Sequence, residues 1–288
     1  MGVKIGGFVD GRRPRERGAA IRSRASSSKT GGNERAHLRR QVGDLHPMVS
    51  RRVSTAGAQK VTALTPQHIE ANLDDYLGDR DGSARYSSFD YCFNYFRSFQ
   101  REGRLAELTS RDMLEMSCLQ LGFYLASWGM FRGKSQLIRR SMKHYVPVLE
   151  AVISADARVW TLDVGSYDDE GIELVLDVAR DVRSSFGHPA RDVLVTKVML
   201  GIFGCVPAFD TYFRAGFDAQ TLGRKSLRRI AAFYRARQDV IDRYRVPTID
   251  FLSGESTDLT YTAAKVIDMI FFVEGMKKGW EPVPGSNV

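Results

Sequence analysis

The chain has 288 residues, of which 43% are hydrophobic and 26% charged, a balance typical of a globular protein. No stretch approaches the roughly 20 apolar residues that a membrane-spanning helix needs, and no apolar core follows the first positive charges. Both observations argue against a membrane protein and a secretory signal. The three cysteines are far apart in sequence, which excludes a disulfide framework and zinc pairs of the CxxC type. They are Cys92, Cys118 and Cys205.

The net charge of +8 is concentrated near the N-terminus. Residues 1–61 contain 14 Lys/Arg and 4 Asp/Glu, so that 28 and 30 remain for residues 62–288. The first segment therefore carries +10 and the remainder −2. Basicity of the whole chain is consequently no evidence that the folded part binds nucleic acid.

Residues 1–61 are rich in glycine, serine and arginine and almost devoid of aromatic residues. Such a segment buries too little apolar area to offset the entropy of ordering, which predicts a disordered basic arm. Four interpretations stay open. The arm could neutralise nucleic-acid phosphates, target the protein, or be a plain solvated tail. Alternatively, the start of translation is placed too far upstream, and Met48 is the true start.

Residues 62–288 predict a single all-α domain of about eight helices. Thr65 and Pro66 are typical of a helix start, and Gly78 of its end. The next helix spans residues 86–102, whose seven aromatic residues predict burial on most sides. A capping box over residues 109–112 predicts the start of another helix. Gly129 ends that helix.

The second half continues this helical pattern without a linker or a sheet. Residues 159–164 are the exception, since their apolar run predicts a short strand. Gly204 to Pro207 forms a predicted turn before a short helix that ends at Phe217. The other predicted helices span residues 135–153, interrupted before Pro147, and residues 168–186, 190–203, 223–245 and 260–278.

The segment from Gly129 to Ser135 resembles a phosphate-binding P-loop. Three residues separate its glycines, whereas the motif needs four for its backbone amides to surround the phosphates. It also follows a predicted helix instead of a buried strand. Asp163 would be a weak magnesium-binding partner. An ordinary helix–turn–helix corner is the favoured interpretation.

Thr196-Lys197 followed by Val206-Pro207-Ala208-Phe209-Asp210 resembles the helix-hairpin-helix DNA glycosylases. This resemblance implies that Lys197 attacks a sugar carbon and that Asp210 stabilises charge or activates the nucleophile, and a desolvated lysine suits that role. The pattern departs from the family, because the nearest upstream glycine is Gly187 and Phe209 precedes the acid. Under the structural alternative, Lys197 extends from an apolar helix to solvent and Asp210 caps or pairs near the next helix.

Two longer segments are similar to a family of uncharacterised bacterial proteins. The first has the pattern LASWGM-x-RG over residues 125–133, and the second joins TKVMLG at 196–201 to GCVPAFD at 204–210. The resemblance implies that both segments are signatures of the family, without supplying an activity. It directs attention to five residues as a candidate pocket or site. They are Trp128, Arg132, Lys197, Asp210 and Tyr212.

Residues 223–245 carry eight basic residues and two acidic ones on an amphipathic helix. Such a face predicts contacts with a phosphate backbone, whereas the alternative is a solvated helix whose arginines pair with acidic residues of the same domain. The candidate nucleic-acid-binding residues are Arg224, Lys225, Arg228, Arg229 and Arg235.

The sequence thus favours a cytoplasmic bacterial protein that associates with DNA or RNA through this helix and has no catalysis of its own. The enzyme alternative is a glycosylase-like or lyase-like protein that uses Lys197 and Asp210. A third class is a protein–protein interaction module, and a protein partner or homo-oligomer stays open. We expect no membrane contact, cofactor or metal.

Overall fold

A computed structural model describes residues 64–78, 80–133 and 135–279. The predicted arm over residues 1–61 lies outside this range, as does Lys134 of the corner that resembles a P-loop. In the described residues, no helix is both long and apolar enough to cross a membrane.

The described residues form nine α-helices and one β-hairpin, which confirms the all-α prediction. The helices are α1 (Pro66–Gly78), α2 (Ser87–Arg101), α3 (Leu114–Ser127), α4 (Val146–Ile153), α5 (Asp169–Ser185), α6 (Asp192–Phe203), α7 (Thr211–Phe217), α8 (Arg224–Arg243) and α9 (Ala263–Gly279). The antiparallel hairpin consists of β1 (Pro247–Ile249) and β2 (Ser256–Thr260).

Helix α9 is buried along most of its length and packs against α1, α7 and α8. Its crossing with α7 requires glycine, because a Cβ atom on Gly275 would lie 1.9 Å from the Tyr212 carbonyl oxygen. A Cβ atom on Gly216 would similarly lie 2.2 Å from the Phe271 carbonyl oxygen. The two backbones approach closely only because neither glycine has a side chain.

Side-chain carboxylates begin several helices and thereby satisfy their unpaired amides. Asp168 caps α5, and Asp210 caps α7. Asp163 accepts hydrogen bonds from the Ala263 and Ala264 amides at the start of α9. Asp163 therefore serves as a structural acceptor in this fold.

Two local predictions are wrong. Residues 159–164 form no strand, because Asp156 and Asp163 each cap a short 3-10 helix there, at Ala157–Trp160 and Val164–Ser166. The capping box over residues 109–112 does not form either. Instead, α3 begins at Leu114 without a side-chain cap, after a 3-10 helix at Leu105–Thr109.

Residues 135–153 are less helical than predicted. Two 3-10 helices, Gln136–Arg139 and Met142–Tyr145, precede α4, and Pro147 lies in its first turn. The prediction of an interruption before Pro147 is confirmed. Proline is tolerated there because the first amides of a helix lack intrahelical partners.

The hairpin was missed because its short strands show little apolar alternation. Polar contacts with the rest of the fold stabilise it. The fully buried carboxylate of Asp90 on α2 accepts hydrogen bonds from the Ile249 amide and the Tyr261 hydroxyl, and it pairs with Arg80 at 2.6 Å. A pattern of hydrophobic residues cannot reveal such a network.

Candidate anion-binding cleft

One cleft, with a volume of about 1040 Å³, brings together all five residues to which the family resemblance points. The end of α3 and the corner after it contribute Trp128 and Arg132. Helix α6 contributes Lys197, and the start of α7 contributes Asp210 and Tyr212. Residues from three separate segments therefore line the same concavity, which we call the cleft.

Lys197 and Asp210 form an ion pair, with 3.0 Å between Lys197 Nζ and Asp210 Oδ2. Their side chains are only 4% and 13% exposed, so little water competes with the contact. The second carboxylate oxygen, Oδ1, accepts the Phe213 amide at 2.9 Å. Asp210 thus orients the lysine and caps α7 at the same time.

The turn after α6 explains how Lys197 and Asp210 meet. Gly204 ends α6 in the left-handed conformation, with φ of +67°, so the chain reverses. The Thr196 hydroxyl then accepts the Phe209 amide at 2.8 Å and donates to the Asp192 carbonyl. Two neighbouring contacts, Thr196 with Phe209 and Lys197 with Asp210, therefore join α6 to the segment that begins α7.

Trp128 contacts both the cleft and the core. Its ring stacks on Tyr86 at 5.6 Å between centroids and meets Phe272 edge-to-face at 5.7 Å. Lys197 Nζ lies 5.0 Å from the ring centroid, a cation–π distance. The indole Nε1 is buried and has no hydrogen-bond partner among the described residues. Trp128 therefore carries an unused donor beside the lysine.

The cleft is lined by more cations than carboxylates. Arg85, Arg132 and Arg191 line it together with Lys197, whereas Asp210 is its one carboxylate within the described residues. None of the three arginines forms an ion pair with a carboxylate of the described residues. Arg85 instead lies over the Trp128 ring, 5.3 Å from its centroid. Their guanidinium groups keep free donors for a ligand oxygen.

Two histidines lie at one side of the cleft. His188 lines it, and its Nε2 is 3.3 Å from Nε2 of His144, with the rings stacked at 5.3 Å. Burial lowers the pKa of His144, and the neighbouring His188 and Arg140 lower it further. This side of the cleft is therefore polar without adding a negative charge.

The predicted nucleic-acid-binding residues lie on α8 and do not line the cleft. Arg224 pairs with Glu173, and Arg228 with Asp169 at 2.7 Å. Arg229 donates to the backbone carbonyls of Phe217 and Asp218 at the C-terminal end of α7. Lys225 and Arg235 are exposed and make no ion pair with the described residues. Of the five candidate residues, these two keep an exposed charge without a carboxylate partner in the described residues.

Sequence reasoning missed several residues of this region. Arg85, His188 and Arg191 belong to no recognisable motif, and only the fold brings them to the cleft. Lys265 lies beside the Trp128 ring and near Asp268, and the two residues are 1% and 6% exposed. Two ionisable residues within the apolar run of α9 were a detectable signal, because buried charges are rare and usually paired.

The arrangement suits anion binding better than acid–base chemistry. Both Asp210 oxygens are engaged, whereas the Lys197 ammonium keeps donors beyond the one directed at Asp210. Among the described residues, no group of three or more His, Cys, Asp or Glu side chains could hold a metal ion. The chain matches no protein-family model, no curated protein and no solved structure.

Proposed function

We propose that the domain binds an organic anion that also carries a flat or apolar part, and that it does so in the cleft. The observation that carries this proposal is the convergence of Arg85, Arg132, Arg191 and Lys197 in a cleft to which the described residues contribute one carboxylate. Phosphate and carboxylate groups match the donor geometry of arginine, often with two parallel hydrogen bonds.

The remaining walls favour a ligand that is more than a small inorganic ion. Tyr212 is 38% exposed and packs edge-to-face on Phe272. Met130, Leu194 and Met276 add apolar surface beside the charges. Ligand sites commonly combine apolar walls with a few polar groups that orient the ligand. The exposed Tyr212 ring and the apolar walls therefore support a ligand in which the anionic group is attached to a ring or an alkyl chain.

A fluorescence titration with anilinonaphthalene sulfonate tests the proposal. This probe combines a fixed negative charge with flat rings and becomes bright in apolar surroundings. The full chain should bind it saturably at moderate salt. A variant with Arg132→Gln and Arg191→Gln should bind the probe about tenfold more weakly, because two guanidinium groups without carboxylate partners are lost.

A matched control removes the same charge elsewhere. The variant with Arg224→Gln and Arg228→Gln also loses two arginines, but these pair with Glu173 and Asp169 on the surface. It should keep the parental affinity within about twofold. Equal losses in both variants would mean that net charge alone attracts the probe, which would contradict a specific cleft.

Association with DNA or RNA through α8 is the second candidate. Lys225 and Arg235 support it, since both are exposed without an ion pair in the described residues. A full chain and one lacking residues 1–61 should then both show a salt-sensitive shift of DNA or RNA. Charge reversal at Lys225 and Arg235 should abolish that shift. If the cleft variant loses the shift instead, the nucleic acid is bound by the cleft.

The contact between Lys197 and Asp210 also supports a lyase-like enzyme as a further candidate. A lysine amine that loses its proton can attack an aldehyde carbon and form an imine with release of water. Borohydride reduces such an imine and would trap the full chain on an abasic-site oligonucleotide. The adduct should disappear with Lys197→Met, and its absence from the parent would end this interpretation.

A further inference from the structure

A second buried lysine lies directly behind the cleft. Lys265 Nζ donates to the Tyr76 hydroxyl at 2.8 Å and is 3.6 Å from Asp268 Oδ2. Four aromatic rings surround the ammonium and take the place of water around it. Their centroids are 4.6 Å away for Phe89, 4.7 Å for Tyr76, 5.3 Å for Trp128 and 5.9 Å for Tyr261.

Trp128 connects this lysine to the cleft. Lys197 Nζ is 5.0 Å and Lys265 Nζ 5.3 Å from the same ring centroid. Lys197 lines the cleft and Lys265 does not. The orientation of the Trp128 ring therefore depends on two ammonium groups, one of which a ligand cannot touch directly.

Asp268, the partner of Lys265, also contacts the segment that leads to Asp210. Its Oδ1 accepts the Ala208 amide at 2.9 Å, two residues before Asp210. This hydrogen bond fixes the segment that returns from α6 to α7. The position of Asp210, and with it that of Lys197, thus depends on a carboxylate of α9.

We propose that Lys265 and Asp268 are positioning residues of the cleft, which hold Trp128 and the segment preceding Asp210 in the geometry that receives the anion. This inference rests on the proposed anion binding and deepens it. Neither residue contacts the ligand. Each acts through a named neighbour, Lys265 through the Trp128 ring and Asp268 through the Ala208 amide.

The charge of Lys265 offers an independent readout. Burial lowers its pKa from 10.5 to about 8, while Asp268 and Asp90 oppose the shift and Lys197 adds to it. The other titratable groups around it are Tyr76 and Tyr261, and burial raises the pKa of both phenols well above 10.0. Of the lysine and these two phenols, Lys265 alone changes charge as the pH passes through about 8.

The test follows Trp128 emission in the full chain with Trp160→Phe and Trp280→Phe, so that Trp128 alone emits. Raising the pH from about 6.5 to about 9.5 should produce one emission transition near the pKa of Lys265. Lys265→Met preserves the unbranched side-chain volume without the charge. It should abolish the transition and weaken anilinonaphthalene sulfonate binding at least roughly threefold.

Lys277→Met is the matched control, because Lys277 lies on the same helix with its side chain 46% exposed. It should leave both the transition and the affinity unchanged. A folded Lys265→Met protein that keeps the transition, or that binds the probe like the parent, would overturn the inference. A protein that shows the transition but never binds the probe would instead refute the proposed anion binding, and positioning for that anion with it.

If Lys265→Met does not fold, a second variant, Asp268→Asn, tests the same inference. Asp268→Asn keeps an oxygen for the Ala208 amide but removes the charge that favours protonated Lys265. The emission transition should then move to lower pH, and probe affinity should fall. An unchanged transition would show that the Lys265–Asp268 pair does not act on Trp128.

Discussion

The Lys197 ammonium and the Asp210 carboxylate lie 3.0 Å apart at the wall of the cleft, although they are 13 positions apart in the chain. The same carboxylate caps α7 through the Phe213 amide. The pair therefore links the geometry of the cleft to the stability of the helix that carries Tyr212. A change at either residue affects both properties.

Lys197→Met should lower the free energy of unfolding by about 3–5 kcal/mol, because it leaves the Asp210 carboxylate buried without its cation. Asp210→Asn keeps an oxygen that can cap α7 and removes the orphaned charge. The double variant should therefore be more stable than Lys197→Met alone. Urea unfolding of the three proteins measures this difference, and additive losses would contradict a coupled pair.

The Arg80–Asp90 ion pair should matter far more to stability than the exposed Arg101–Asp258 pair. Asp90 is fully buried and accepts two further hydrogen bonds, from the Ile249 amide and the Tyr261 hydroxyl, whereas Arg101 and Asp258 are 48% and 70% exposed. Asp90→Ala should cost about 3 kcal/mol or more. Arg101→Gln should leave the midpoint of unfolding nearly unchanged, because solvent and salt screen an exposed pair. Thermal unfolding compares the two, and equal midpoints would contradict the prediction.

The glycine at the crossing of α7 and α9 gives a third prediction. Gly275→Ala places a methyl group against the Tyr212 carbonyl and should destabilise the fold by about 1–3 kcal/mol. Gly279→Ala, on the same helix, meets nothing within 4 Å and should be nearly neutral. Because Tyr212 lines the cleft, Gly275→Ala should also weaken probe binding. Equal stability of the two variants would contradict the close approach.

Lys265 should contribute stability that rises with pH just above pH 8, whereas the thiols of Cys92, Cys118 and Cys205, whose pKa burial raises, contribute the opposite trend. The pKa of Lys265 is about 8 in the folded protein, below its ordinary value of 10.5. Between these values the unfolded chain binds more protons, so the free energy of unfolding increases with pH. The gain should be about 1 kcal/mol between about pH 8 and about pH 9. Urea unfolding of the parent and of Lys265→Met at both pH values should show this gain as a difference between the two proteins, and the same pH dependence in both would contradict it.

Helical periodicity and capping residues predicted most of the fold. The starts of α1 and α5 and the glycine that ends α6 follow from local backbone chemistry. The two wrong elements have local causes. Asp156 and Asp163 cap short 3-10 helices in the segment predicted as a strand, and no side chain caps α3.

The candidate site was predictable only in part. Lys197, Asp210 and Trp128 occur in segments that looked like motifs, and these segments line one cleft. Arg85 and Arg191 could not be found, since tertiary packing alone places them there. Charge counting left the role of α8 open, because it cannot show that Arg224 and Arg228 have carboxylate partners.

Hydrogen–deuterium exchange of the full chain, with and without saturating anilinonaphthalene sulfonate, tests the anion-binding cleft most directly. A ligand slows exchange where it reduces local opening of the backbone. We expect added protection in residues 128–133, 188–197 and 210–213, and none along α8. Protection confined to α8, or binding without protection of the cleft segments, would contradict the proposal.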